Sequence, residues 1–174
     1  MRRVAMPMSL LATILSGGIF GFFYAWVCST MWGLDAIDPR VAIEAMQAMN
    51  ASVRNPVFFP VFFLTPVALA MTTVIAIVIK ARTAALWFGS ASACNAVFVI
   101  VITAQFNVPL NEALAAYAIP ETSAEAADLW SAYSGQWQVW NTARAAGSGL
   151  ALLFALLGLL ALAQKDARHT QAVE

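Results

Sequence analysis

Apolar residues run along this chain in four blocks, each longer than a globular core strand or helix needs. The blocks cover Met8 to Thr30, Val57 to Ile79, Ala84 to Gln105, and an unbroken apolar run from Gly147 to Ala163. A hydrocarbon layer about 30 Å thick is crossed by ~20 helical residues. Each block therefore predicts a membrane span, at about 8–30, 57–79, 84–105 and 140–163. Between the first two, Asp38 and Pro39 read as a side-chain cap followed by proline at the first helical position. The stretch Arg40 to Val53 sets Val41, Ala45, Met46 and Met49 among polar neighbours, which predicts a short amphipathic helix outside or lying on the membrane. Pro60 and Pro66 predict a kink in the second span. Lys80 to Thr83 is a tight connection. Asn107 to Asn111, with Pro109 inside it, reads as the end of span 3 and a turn, and Thr122 or Ser123 as a cap with Glu125 and Asp128 in the following first turn. Upstream of the last block, Trp130, Tyr133, Trp137, Asn141 and Arg144 recur at three- and four-residue steps. The fourth helix is thus expected from about 124 to 164, protruding from the bilayer, with Gly147 and Gly149 as possible bend points. The expected fold is an all-α membrane protein: one four-transmembrane-helix domain over residues 1–174, with an extracytoplasmic amphipathic helix between spans 1 and 2.

Composition agrees with that pattern and narrows the function. The chain is 61% hydrophobic and 10% charged, against about half and about a quarter in soluble domains. Net charge is zero and there is no basic run, so nucleic acid is not an expected partner. Cys28 and Cys94 have no paired spacing, which argues against a disulfide framework and against a thiol oxidoreductase. The single histidine, His169, lies in the charged tail, so a histidine-ligated metal or haem is not an expected cofactor. No span carries a carboxylate, which disfavours a cation-coupled exporter. The first apolar block is too long for a signal-peptide core and is read as a retained span. Arg2, Arg3, Lys80, Arg82, Lys165 and Arg168 fall on one side, and Arg40, Arg54 and Arg144 on the other. Positive charge concentrates in the cytoplasm, so both termini are expected there, in the inner membrane of a bacterium. The expected partners are the lipid bilayer and a lipophilic small molecule.

Polar groups gather at the outer ends of spans 2, 3 and 4: Asn50, Arg54, Asn55, Asn107, Asn111, Trp137, Asn141 and Arg144. Indole is a donor, amides both donate and accept, and guanidinium is a fixed cationic fork. Together these suit an oxyanion, enolate or carbonyl oxygen on an otherwise apolar ligand. Simpler readings stand beside that one. Asn55 serves equally as a helix cap, Asn107 as a turn residue, the arginines as groups reaching to lipid headgroups, and the tryptophans as an interfacial belt. Asn95 and Ser92, in mid-span 3, read as interhelical hydrogen-bonding groups. Asp35, just beyond span 1, is the one candidate base and a candidate ion-pair partner for Arg54 or Arg144, or else a solvated loop carboxylate.

Four patterns together are similar to the anthrone oxygenase-like membrane proteins. They are Trp26, Cys28, Ser29, Trp32 and Asp35; then Ala45, Met46, Met49, Asn50, Val53, Arg54, Asn55 and Pro56; then Phe106, Asn107, Pro109 and Asn111; then Trp137, Trp140, Asn141 and Arg144. The resemblance implies four transmembrane helices and oxidation of an anthrone-like or hydroquinone-like aromatic by dioxygen, without metal or flavin. In that reading Arg54, Arg144 and Asp35 are the catalytic candidates. Asn50, Asn55, Asn107, Asn111, Trp137 and Asn141 would contact the substrate. The alternative is a non-catalytic membrane module that binds a lipid, quinone or partner protein in the same outer pocket.

Overall fold

The computed structural model describes the backbone of residues 2–171 and the side chains of residues 3–165, so the side chains of Arg2, Arg168 and His169 lie outside the described residues. Four of its helices are long and apolar enough to cross a membrane: Arg3–Asp35, Phe58–Val78, Arg82–Ala115 and Ser123–Lys165. The protein is an all-helical integral membrane protein. Its first helix is built from α1 (Arg2–Ala25), a π-helical turn over Trp26–Thr30, and α2 (Met31–Asp35). Then come α3 (Pro39–Ser52) and α4 (Phe58–Val78). The third long helix joins α5 (Arg82–Cys94), π-helical stretches over Asn95–Val101 and Thr103–Asn107, and α6 (Val108–Ala115). The last is α7 (Ser123–Gln171).

The four long helices form a ring in which α1 packs on α4 and α7, and α5 packs on α4 and α7. The seams follow from small residues. Along α1, buried Ala5, Ser9, Ala12, Ser16, Ile19 and Phe23 alternate three- and four-residue steps. Along α7, Asn141, Arg144, Ser148, Ala151, Ala155, Gly158 and Leu162 do the same. Lipid tails are as apolar as leucine, so such contacts are held by close packing rather than by escape from water. Gly147 and Gly158 are where that packing is tightest. A Cβ on Gly158 would sit 2.7 Å from the ring of Phe88, and one on Gly147 would collide with Phe98. The helix runs unbroken through Gly147 and Gly149, so these glycines admit neighbouring aromatic rings where bends were expected.

Hydroxyls inside the ring bond to their own helix: Ser16 to Ala12, Thr72 to Ala68 and Ser148 to Arg144, each from Oγ or Oγ1 to a carbonyl four residues back. Asn95 is the exception. It is buried and its amide has no hydrogen-bond partner among the described residues, so the interhelical bond expected of it does not form. The connection after α4 closes on Lys80, whose φ of 59° is left-handed. The amide of Ala81 returns to the carbonyl of Ala76 at 2.8 Å, and Lys165 Nζ donates to the carbonyl of Ile79 at 2.8 Å, tying this end to α7.

At the other end the helices outrun the ring and build a second core. Buried Met31, Leu34, Ala42, Ile43, Met46, Leu114, Ala126, Trp130, Tyr133 and Trp137 meet there. The amphipathic α3 lies across the upper part of α7 with Ala42, Ile43 and Met46 inward. Asp38 caps it by accepting from the amide of Arg40 at 2.9 Å. The Arg40 guanidinium, 2.8 Å from that carboxylate, holds the Asp38 carboxyl below its usual range, and the pairing raises Arg40 in turn. Gln47 Nε2 donates to the carbonyls of Leu114 and Tyr117, closing the open end of α6. Thr122 and Glu125 form a reciprocal capping pair at the start of α7.

One expectation fails here. Asn107 to Asn111 is helical, and the chain does not turn at Pro109. The π stretch ends at Asn107 and Pro109 falls in the first turn of α6. Proline's fixed φ is helical, and the π stretch directly before it takes up its missing amide hydrogen, so the helix continues. The turn comes after Ala115, before α7.

Candidate functional site

Below the second core, where the ring opens toward α3 and α6, lies a cavity of about 290 Å³. That is near the lower end for small-molecule sites, about 300–1,000 Å³. Its walls are apolar and flat-sided: Phe22, Phe23 and Trp26 from the first helix, Met49 from α3 and Val53 just after it, and Phe58, Phe59, Phe62 and Phe63 from α4. Asn50, Arg54, Thr103, Asn107, Asn111, Glu112, Trp137 and Arg144 supply its polar groups. Four separate stretches of chain contribute, and two of them do so through π turns. Trp26 opens the first, and Thr103 and Asn107 bound another. A π turn carries one extra residue per turn, which rotates the following side chains, and such turns recur at functional sites.

Arg144 is the innermost charge. It is only 5% exposed. Nη2 donates to Asn141 Oδ1 at 2.9 Å and Nη1 to Thr103 Oγ1 at 3.3 Å. The guanidinium carbon stands 4.4 Å from the ring centre of Phe23 and 5.3 Å from that of Trp137. Nε has no partner. A guanidinium has five N–H donors, so two are engaged, and among the described residues no carboxylate pairs with it. A desolvated cation compensated only by dipoles and ring faces is costly.

Above it, Asn111 is oriented by its neighbours. Its Oδ1 accepts from Trp137 Nε1 at 2.8 Å and from Tyr133 Oη at 2.9 Å. Tyr133 in turn receives Asn50 Nδ2 at 3.5 Å. With the oxygen held by two donors, the NH₂ of Asn111 is the end left for the cavity. Asn107 uses Nδ2 on the carbonyl of Trp137 at 3.4 Å, and its buried Oδ1 has no partner.

Six of the nine residues singled out from the sequence therefore meet at one cavity: Asn50, Arg54, Asn107, Asn111, Trp137 and Arg144. Arg54 is exposed at its rim. The other three stand behind or beside it. Asn141 joins Arg144 to the carbonyl of Phe23, 3.2 Å from its Nδ2. Asn55 is a cap, its Oδ1 accepting from the amides of Val57 and Phe58 and its Nδ2 donating to Ser52. Asp35 pairs with neither Arg54 nor Arg144. Its Oδ1 accepts from Trp130 Nε1 at 2.9 Å and Ser134 Oγ at 2.7 Å, and its Oδ2 from Gln138 at 2.9 Å. Those three donors lie on α7 above the cavity, so the carboxylate clamps the end of the first helix to α7. Trp130 and Trp137 form no lipid-facing belt, being buried with both indole N–H groups engaged. Glu112 lines the cavity and was not among the sequence candidates. Reading 107–111 as a turn left the next residue without a helical face.

A second hollow adjoins the first between α1, α3 and α4, lined by Gly18, Ile19, Val57, Val61 and others. It shares Phe22, Trp26, Met49, Val53 and Phe58 with the first. The rings of Phe22 and Phe58 stand 4.8 Å apart on that shared wall.

Residues 55–154, more than half of the chain, match the family described as anthrone oxygenase. No curated protein and no solved structure matches the chain.

Proposed function

The chain belongs to the anthrone oxygenase family, and from that membership we propose that the cavity holds a flat, lipophilic, enolisable aromatic ketone for oxidation by dioxygen. The observation that carries this reading is Arg144: a buried cation without a carboxylate, at the polar end of an aromatic-walled slot. An anthrone that loses a proton from the carbon opposite its carbonyl becomes a delocalised anion with charge on oxygen. Arg144 and the NH₂ of Asn111 would receive that oxygen, and donors fixed in advance where charge develops are the strongest catalytic device available without covalent chemistry. Phenylalanine faces would hold the ring system. The anion is electron-rich enough to reduce dioxygen directly. The balance is one ketone plus one dioxygen to one quinone plus one water: one oxygen atom becomes the new carbonyl, and the other leaves with the two hydrogens of the reacting carbon.

In the same reading, Lys80, Arg82 and Lys165 mark the cytoplasmic side, and the cavity opens toward the outer side of a bacterial inner membrane. Residues 1–174 act as one domain.

The test is oxygen uptake and quinone absorbance with purified protein and a panel of anthrones and hydroquinones. Turnover that falls by about 10²–10³-fold in Arg144→Ala supports the reading, the scale expected for losing an oxyanion donor. A wild type that consumes no oxygen with any member, yet is thermally stabilised by them, supports the non-catalytic binding module instead.

A further inference from the structure

The proposed reaction needs a proton acceptor, and we infer that Glu112 is that acceptor and a catalytic residue; the inference rests on the anthrone reading above. Among the described residues the cavity wall contains no histidine, lysine, cysteine or tyrosine, and Glu112 is its single carboxylate. Arginine is protonated throughout the working range and amides do not accept protons in water. Among the groups lining the cavity, Glu112 alone carries a carboxylate that can accept a proton. The other carboxylate considered, Asp35, has both oxygens occupied by α7 donors above the cavity. The charged or titratable groups around Glu112 are Arg54 at the rim, Arg144 in the interior and Tyr133 behind Asn111. No ion pair occupies the Glu112 carboxylate among the described residues.

The placement follows from the helix. Because α6 continues through Pro109, Asn111 stands one turn beyond Asn107 and the exposed Glu112 follows it, all three lining the cavity. The cavity that receives the NH₂ of Asn111 thus also has a base on its wall. A carboxylate is a weak base for a carbon acid, so the transfer depends on the ketone oxygen being stabilised as its charge grows. Asn111, Arg144 and Glu112 act together in that step.

The proton balance closes on Glu112 alone. Its carboxylate takes one hydrogen of the reacting carbon as a proton, and the electron pair of that bond moves into the rings and the ketone oxygen. The anion adds to dioxygen, forming a carbon–oxygen bond and a peroxide anion, which Glu112 reprotonates. The carboxylate then removes the second hydrogen as a proton. That electron pair forms the new carbonyl, the oxygen–oxygen bond breaks, and hydroxide leaves. The proton on Glu112 converts it to water.

The experiment compares wild type, Glu112→Gln and Glu112→Ala as full-length protein in lipid nanodiscs, with anthrone as substrate. Oxygen uptake is measured at neutral pH and at alkaline pH where anthrone ionises unaided. Binding is followed by thermal shift with 10,10-dimethylanthrone, which has no removable hydrogen. Glu112→Gln is expected to lose about 10²-fold in rate at neutral pH, to keep the thermal shift, and to narrow that deficit at alkaline pH, where the substrate is already ionised and hydroxide can take the second proton. Glu112→Ala is expected to regain rate with added formate. Should Glu112→Gln fail to fold, that rescue decides the matter, and its absence overturns the assignment. Full neutral-pH activity in Glu112→Gln overturns it, as does a deficit that does not narrow at alkaline pH. A wild type with no oxygen uptake defeats the anthrone reading itself, which separates the two failures.

Discussion

Arg144 illustrates how one residue can be good for a site and poor for a fold. Its charge is desolvated, its partners are an amide, a hydroxyl and two ring faces, and one nitrogen is unpaired. Replacing a buried, incompletely compensated charge with an apolar residue of similar length is often neutral or stabilising. Arg144→Met is therefore expected to melt at or above the wild-type temperature in detergent while losing any ligand-induced shift. A steep fall in Tm would mark the cation as a structural strut instead. Asn111 is the opposite case. Asn111→Leu strands Trp137 Nε1 and Tyr133 Oη, and each orphaned buried donor costs about 1–3 kcal/mol, so a clearly lowered Tm is expected by differential scanning fluorimetry. Asp35→Asn keeps an acceptor for its α7 donors. It is expected to lower Tm modestly and retain most oxygen uptake, whereas abolished uptake at unchanged Tm would restore Asp35 as a base.

At the scale of elements, most of the fold was legible in the sequence, because span length, caps and the three-to-four residue stripe on α7 are local properties. The Asp38 cap, the Asn55 cap and the Thr122–Glu125 pair all appear where polar side chains precede helical runs. Six candidate residues converge on one cavity for the same reason: Asn50, Arg54, Asn107, Asn111, Trp137 and Arg144 sit at corresponding depths of helices whose ends were readable. The π turns were not legible, since their i→i+5 bonds answer to packing against α7 and have no residue signature. That gap hid the continuation through Pro109, and with it Glu112. The true partners of Asp35 were hidden too, because they lie about a hundred residues away in sequence. Two element-scale outcomes follow. Gly158→Leu, driving a side chain into Phe88, is expected to destabilise by about 1–3 kcal/mol, read from thermal unfolding in detergent. The first turn of α3 should keep its cap well into acid. The folded pKa of Asp38 is depressed, so its contribution is complete above the ordinary aspartate pKa and is lost as pH falls through the lower folded value. Hydrogen exchange at the start of α3 should show that loss in wild type and none in Asp38→Asn.

For the molecule as a whole, two kinds of cohesion are stacked along one axis. The ring of spans is held by small-residue packing, and the second core by burial of Met31, Ile43, Met46, Trp130 and their neighbours against one another. The cavity lies where the two meet, which is how a slot walled by phenylalanine comes to contain a guanidinium, amides and a carboxylate. The measurement that bears most directly on this account is the structure of the protein with 10,10-dimethylanthrone bound. The expected result is density for the rings between the phenylalanines of α1 and α4, with the ketone oxygen within hydrogen-bonding distance of Arg144 and Asn111 and the blocked carbon facing Glu112. Density confined to the neighbouring hollow beyond Phe22 and Phe58, or a ketone oxygen turned away from Arg144, would contradict it.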